Sequence, residues 1–263
     1  MGDGPALVLI PGGMQAAQNF MMLGATLSKS FSVYILNRRG RSLSGPYRDD
    51  HSIQREVEDL DTVLQATGAH DVFGLSAGAL ISLKAALTLQ SLHRIALYEP
   101  PLVLNDDRSP MEWMPRYEKE FAEGNLAAAM VTGMKGIADS GDWFTSLPRF
   151  AMTNLMRLAI QSDRRNVKIG DASLEGLIRS LHFDLRNVAE MVGALETFRA
   201  VEIDVLLLGG VRSPAYFAPI LSALKTVLPR SRRVTLPGVG HMGPDDVGKP
   251  ERVAEELRLF FAR

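Results

Sequence analysis

Along the first hundred residues, short runs of leucine and β-branched residues alternate with longer segments whose apolar positions recur every three or four residues. Short continuous apolar runs suit strands buried on both faces, and the longer period suits helices packed along one side. The pattern predicts strands over Ala6–Ile10, 32–36, 72–73 and Arg94–Tyr98, with helices over 17–27, Ile53–Thr67 and 77–89 between them. Such alternation is the signature of βαβ units around a parallel sheet.

After Pro100-Pro101 the strand signal stops, and to about residue 199 only helical periodicity remains. That stretch holds both tryptophans and seven of the 12 methionines. Alternation then resumes with a strand over 205–208, a helix over 216–228, a strand over 233–236 and an amphipathic helix over 251–261. The expected organisation is an α/β core from 1–101 and 200–263, with a helical cap inserted at 102–199. No internal repeat or linker is visible.

At 263 residues and 46% hydrophobic, the chain is long enough to bury one large α/β core. A net charge of -1 leaves no overall surplus to hold nucleic acid or an anionic membrane, though a local basic patch is compatible with a neutral total. The absence of cysteine excludes disulfides, thiolate nucleophiles and cysteine-ligated metals, and it fits a reducing cytoplasm. Charged residues interrupt every apolar run well short of the roughly 18 residues a spanning helix needs. The run Leu7 to Ile10 has neither the length nor the basic flank of an export signal. The expectation is a soluble cytoplasmic protein acting on a small molecule.

The segment Gly74-Leu75-Ser76-Ala77-Gly78 places a serine between a short buried strand and a helix, with a glycine two residues to either side. A serine lifted above a sheet edge sits on a sharp, strained turn, and its neighbours must be small for strand and helix to approach. The alternative, a glycine-rich turn with a bystander serine, does not account for the strand before and the helix after. With Pro11-Gly12-Gly13 after the first strand, the turn Asn37-Arg38-Arg39-Gly40-Arg41-Ser42-Leu43-Ser44, and a late Gly238-Val239-Gly240-His241, the sequence resembles the α/β-hydrolase superfamily, serine-nucleophile branch, from residue 5 to the C-terminus. The match is weakest in the cap.

The resemblance implies Ser76 as nucleophile and His241 as general base, on a loop at the same sheet edge. An imidazole with an ordinary pKa near 6.5 can take the serine proton and return it to the leaving group. His51, His70, His93 and His182 read as surface residues. The usual acid of the family, three residues after a glycine that follows the next-to-last strand, is missing, because Arg212 and Ser213 stand there. Asp204 precedes that strand and lies about 17 Å from the active edge at roughly 3.3 Å per residue. Glu99 ends the strand after the elbow helix, where some relatives carry their acid, and it is the preferred candidate. Asp245, Asp246, Asp106 and Asp107 are competitors.

The resemblance also nominates the backbone N–H groups of Ala77 and of Gly13 or Met14 as the oxyanion donors. Met111, Trp113, Trp143 and Met242 are candidate substrate contacts in an apolar pocket. Other cap residues at i, i+4 spacing, such as Met130 with Met134 and Met152 with Met156, read as packing against the sheet. The expected activity is hydrolysis of small to medium apolar carboxylic esters through an acyl-enzyme, with no cofactor and no metal. Lactone opening, C–C bond hydrolysis, aminopeptidase action or binding without turnover are the alternatives.

Relatives commonly open with two antiparallel strands ahead of the Leu-Val-Leu-Ile strand, so about six core strands are expected here, with the usual N-terminal pair missing. The open edge would favour a homodimer or a less stable chain. Gel filtration with light scattering checks this, the expected result being a dimer; a compact, stable monomer would remove that expectation.

Overall fold

The computed structural model describes residues 1–48, 50–104, 111–137 and 146–262. Six strands form one sheet: β1 (Ala6–Ile10), β2 (Ser32–Ile35), β3 (Asp71–Leu75), β4 (Arg94–Tyr98), β5 (Asp204–Gly210) and β6 (Ser231–Leu236). Their order is β2-β1-β3-β4-β5-β6, and every neighbouring pair is parallel. Alternate residues divide the strands between two faces. Val8, Ile10, Val72, Ile95, Leu97, Val205 and Leu207 face one core, while Leu7, Leu9, Phe73, Ala96, Tyr98, Leu206 and Leu208 face the other. Both faces are covered, which is why β1, β3, β4 and β5 are apolar along most of their length, whereas the edge strand β6 carries Arg232 and Arg233.

Helices α1 (Met21–Leu27) and α9 (Pro250–Phe261) cover the second face. The first is covered by α2 (Ile53–Thr67), α3 (Ala77–Ala85) and α8 (Phe217–Val227). Ser52 caps α2 by accepting the Arg55 N–H, and Gly68 ends it at φ 66°, a left-handed conformation glycine adopts without steric cost. Two expected helices are shorter than their apolar pattern. Residues Ala17–Phe20 form a 3-10 turn ahead of α1, and α3 ends at Ala85. Leu87 and Leu89 pack on the core from the turns that follow, so their apolar spacing reports burial and not helix.

Chain direction across the sheet reverses at β1, which has β2 on one side and β3 on the other. The carboxyl ends of the strands next to such a switch leave a crevice in which ligands bind. The β2 edge is partly covered. Met1 donates its ammonium to the Val33 carbonyl at 3.0 Å and accepts the Val33 N–H at 2.7 Å, so the edge is less open than the sequence implied.

Among the described residues, four α-helices lie between β4 and β5: α4 (Met114–Ala122), α5 (Leu126–Ile137), α6 (Arg149–Asn166) and α7 (Leu174–Glu190). They carry small apolar clusters of their own, one joining Leu126, Ile160 and Ile178 and another joining Tyr117, Ala129 and Leu185. Met156 packs in the first of these, so it buries among helices and not against the sheet as its spacing implied.

The tie between α7 and the sheet edge is ionic. Asp184 accepts from Arg38 Nη2 through one oxygen and from Arg41 Nη2 at 2.6 Å through the other, and all three side chains are buried. Arg41 Nε also donates to Ser180 at 3.3 Å, and Glu56 lies 3.9 Å from Arg38. His51, expected at the surface, is buried beside Glu56 and edge-on to Tyr47 and Phe183. Burial pushes its pKa down to about 4, so its ring is neutral at neutral pH. His182, also expected at the surface, stacks on Phe121. Removing one partner of a buried charge pair strands the other. Asp184→Ala is therefore expected to lower unfolding free energy by about 3 to 5 kcal/mol, measured by urea denaturation, and a loss below about 1 kcal/mol would show the arginines to be solvated without it.

Candidate active site

Ser76 stands between β3 and α3 with φ 51° and ψ -116°, a conformation that costs energy for a residue with a side chain. Its surroundings impose it. A Cβ on Gly74 would lie 2.4 Å from the Gly78 carbonyl oxygen, and one on Gly78 would lie 2.3 Å from the Ile10 carbonyl oxygen. The helix therefore starts almost in contact with β1 and β3, and the chain turns from one to the other within Ser76. The Ser76 N–H donates to the Tyr98 carbonyl at 2.8 Å, and its carbonyl accepts the Leu80 N–H at 3.0 Å, so the turn is held at both ends.

Next to it, β4 is followed at once by another non-glycine residue at positive φ, Glu99, at 48°. Its side chain is 1% exposed. One carboxylate oxygen accepts the Gly210 N–H at 2.7 Å, and the other lies 2.7 Å from His241 Nδ1. A Cβ on Gly209 would come within 3.0 Å of the Glu99 carboxylate, so the glycine pair at the end of β5 leaves room for this acid and supplies a donor to it. His241 is a quarter exposed and lies flat on Phe217, ring centroids 4.5 Å apart. The Tyr98 hydroxyl donates to the Gly240 carbonyl at 2.7 Å and anchors the loop that carries the imidazole. With Nδ1 facing Glu99, Nε2 is left for other chemistry.

The competing carboxylates are engaged elsewhere. Asp245 accepts from Gln15 Nε2 at 2.6 Å, Asn19 Nδ2 at 3.2 Å and the Val247 N–H at 2.9 Å. Asp246 accepts the Met22 N–H at 2.8 Å, and Asp204 pairs with Arg230 at the start of β5. Asp106 and Asp107 lie outside the described residues.

Ser76 and His241 line one cavity of about 760 Å³, together with Gly12, Gly13, Met14 and Ala77. The Gly12 N–H is taken by Gln15 Oε1 at 2.8 Å. The Ala77 N–H lies in the first turn of α3, where a helix supplies no acceptor of its own. Of the candidate substrate contacts, Met111, Trp113 and Met242 line the cavity, whereas Trp143 lies outside the described residues. Met130 and Met134 also line it, although their spacing read as packing against the sheet. The side chains contributed by α7 and α8, among them Leu181, Asp184, Leu185, Phe217 and Ile220, have no sequence signal separating them from ordinary helix positions. Nor do Gln15 and Tyr98, which brace the surrounding loops. Among the described residues, no three histidine or acidic side chains are grouped as metal ligands are.

The model of the alpha/beta hydrolase family matches residues 7–256. N-formylmaleamate deformylase of Pseudomonas putida is 31% identical over 129 residues, 48% of this chain and 48% of its own, so that match spans about half of either protein. Pimeloyl-acyl-carrier-protein methyl ester esterase of Xanthomonas axonopodis pv. citri is 24% identical over 270 residues, covering 100% of this chain and 97% of that one. Among solved structures, an alpha/beta hydrolase from Sphaerobacter thermophilus is similar with a TM-score of 0.77 and 27% identity, covering 99% of this chain and 93% of that one. The enol-lactonase of Burkholderia xenovorans shares the fold with a TM-score of 0.70 at 18% identity, covering 100% and 93%. With nearly the whole described core inside the family match, the chain belongs to the alpha/beta hydrolase family and is a hydrolase.

Proposed function

We propose that the protein is a serine hydrolase that cleaves small to medium apolar carboxylic esters through an acyl-enzyme. The observation that carries this is the 2.7 Å contact between Glu99 and His241 Nδ1, with Ser76 on the same cavity wall. Glu99 holds the tautomer that presents Nε2 to the serine. His241 takes the proton from Ser76 Oγ as that oxygen attacks the ester carbonyl, then returns it to the departing alcohol. Water repeats the sequence to free the acid. Charge on the tetrahedral oxygen is met by the N–H groups of Ala77 and of Gly13 or Met14; Gly12 is already committed to Gln15.

The mostly apolar lining supports an apolar acyl or alcohol group, and helices α4, α5 and α7 act as a cap that excludes water from it. A cysteine-free chain suits a reducing cytoplasm. The missing acid after β5 left open a member of the fold that binds without turnover; the contact of Glu99 with His241 Nδ1 supports turnover. Lactone or amide hydrolysis at the same site is the second reading, supported by the names of the enol-lactonase and deformylase relatives. A panel of p-nitrophenyl esters, lactones and amides separates the two by kcat/KM.

A fluorophosphonate probe tests the activated serine without assuming a substrate. Wild type is expected to label and Ser76→Ala to remain unlabelled; a folded wild type that does not label would point to binding alone. Ser76→Ala and His241→Ala are expected to lower ester kcat by about five to six orders of magnitude. Glu99→Gln, which leaves shape but removes the charge that orients the imidazole, is expected to lower it by about three to four. A near-wild-type rate in Glu99→Gln would move the acid's role to another residue.

A further inference from the structure

Helix α6 lies on the outside of the four-helix layer, packed on α5 and α7, and lines no part of the cavity. Its outward ridge exposes two leucines. Ala151, Asn154, Leu155 and Leu158, spaced three and four apart, share that ridge, and Leu155 and Leu158 are 68% and 62% exposed. Phe150 beside them is 72% exposed, and Ile169 in the turn beyond the helix is fully exposed. Large apolar side chains standing in water at this density mark a surface that meets something apolar.

The same segment is basic. From 149 to 168 it carries Arg149, Arg157, Arg164, Arg165 and Lys168 against the single acid Asp163, in a chain whose net charge is -1. Asp163 accepts the Leu174 N–H at 2.7 Å. Arg149 and Arg164 pair with Glu120 and Glu175, while Arg157, Arg165 and Lys168 have no ion pair among the described residues. The neutral total thus hides a local cationic surplus set among exposed apolar residues.

We propose that α6 and the turn after it dock on an anionic lipid surface. Protruding apolar side chains interspersed with cations are the pattern of a helix lying in the plane of a bilayer interface, apolar groups in the acyl boundary and cations among anionic headgroups. A second copy of the chain fits less well, because a two-fold contact on this face would set the same cations against each other. Among the described residues no helix is long and apolar enough to cross a membrane, so the contact is peripheral. Docking here lays α5 and α7, whose residues line the cavity, near the phase in which apolar esters concentrate.

Cosedimentation with vesicles tests this, comparing phosphatidylcholine alone with phosphatidylcholine containing a substantial fraction of phosphatidylglycerol. Wild type is expected to bind the anionic vesicles at least tenfold more tightly and to dissociate as salt rises. The double variant Arg165→Gln/Lys168→Gln is expected to bind roughly 25-fold more weakly, about fivefold per cation. Leu155→Ser/Leu158→Ser is expected to bind at least tenfold more weakly while keeping its circular dichroism, because both side chains are already in water. Ser76→Ala should bind as wild type does, so the outcome is independent of the proposed chemistry. Equal binding to both vesicle types, or binding unchanged in both double variants, would overturn the proposal. A dimer dissolved by the leucine variant, without vesicle binding, would assign the surface to a second copy.

Discussion

Everything at the carboxyl edge of the sheet depends on how closely α3 passes β1 and β3. No side chain fits at residue 74 or residue 78, since a Cβ at either would meet backbone of the neighbouring element within 2.4 Å. That crowding compresses the turn between strand and helix into Ser76, which absorbs it as a left-handed backbone conformation. The strain is supported by hydrogen bonds on both sides and by the fully buried strands beneath. A serine so placed has its side chain above the sheet edge and at a helix N-terminus, where free N–H groups favour developing negative charge.

The neighbouring strand solves a related problem in the same way. Glu99 turns out of β4 at positive φ, and the N–H of Gly210 and the small space beside Gly209 receive its carboxylate. The end of β5 thus forms a cradle for a carboxylate arriving from the end of β4. His241 is constrained from three directions, by Glu99 at Nδ1, by Phe217 beneath its ring, and by Tyr98 through the Gly240 carbonyl. Each restraint uses rigid parts of the sheet or of α8, so the ring's position is inherited from the core.

The helices over the cavity are joined to this core at a buried ionic junction. Asp184 lies between the cavity and two arginines of the turn after β2, and burial keeps the nearby His51 neutral, so the charges there are those of the arginines and acids. Buried ions fix geometry because a displaced partner is left without solvent, and this fixes α7 against the loop after β1; a Cβ on Gly13 would stand 3.4 Å from the Asp184 carboxylate.

The linear chain by itself determined the sheet, the order of elements and the serine turn, because strand burial, helix period and the glycine spacing are local properties repeated along the sequence. Ile53–Thr67 and Arg94–Tyr98 have the bounds their patterns imply, and the Gly-x-Ser-x-Gly turn stands between strand and helix. Tertiary structure decided the rest. Which of several acids meets His241, that His51 is buried and not at the surface, that Met130 and Met134 face a cavity, and that Arg38 and Arg41 close on Asp184 about 140 residues away all depend on partners remote in sequence. A single arginine or histidine reads the same whether solvated or buried, and only the fold sets the dielectric and the partner that give it a role.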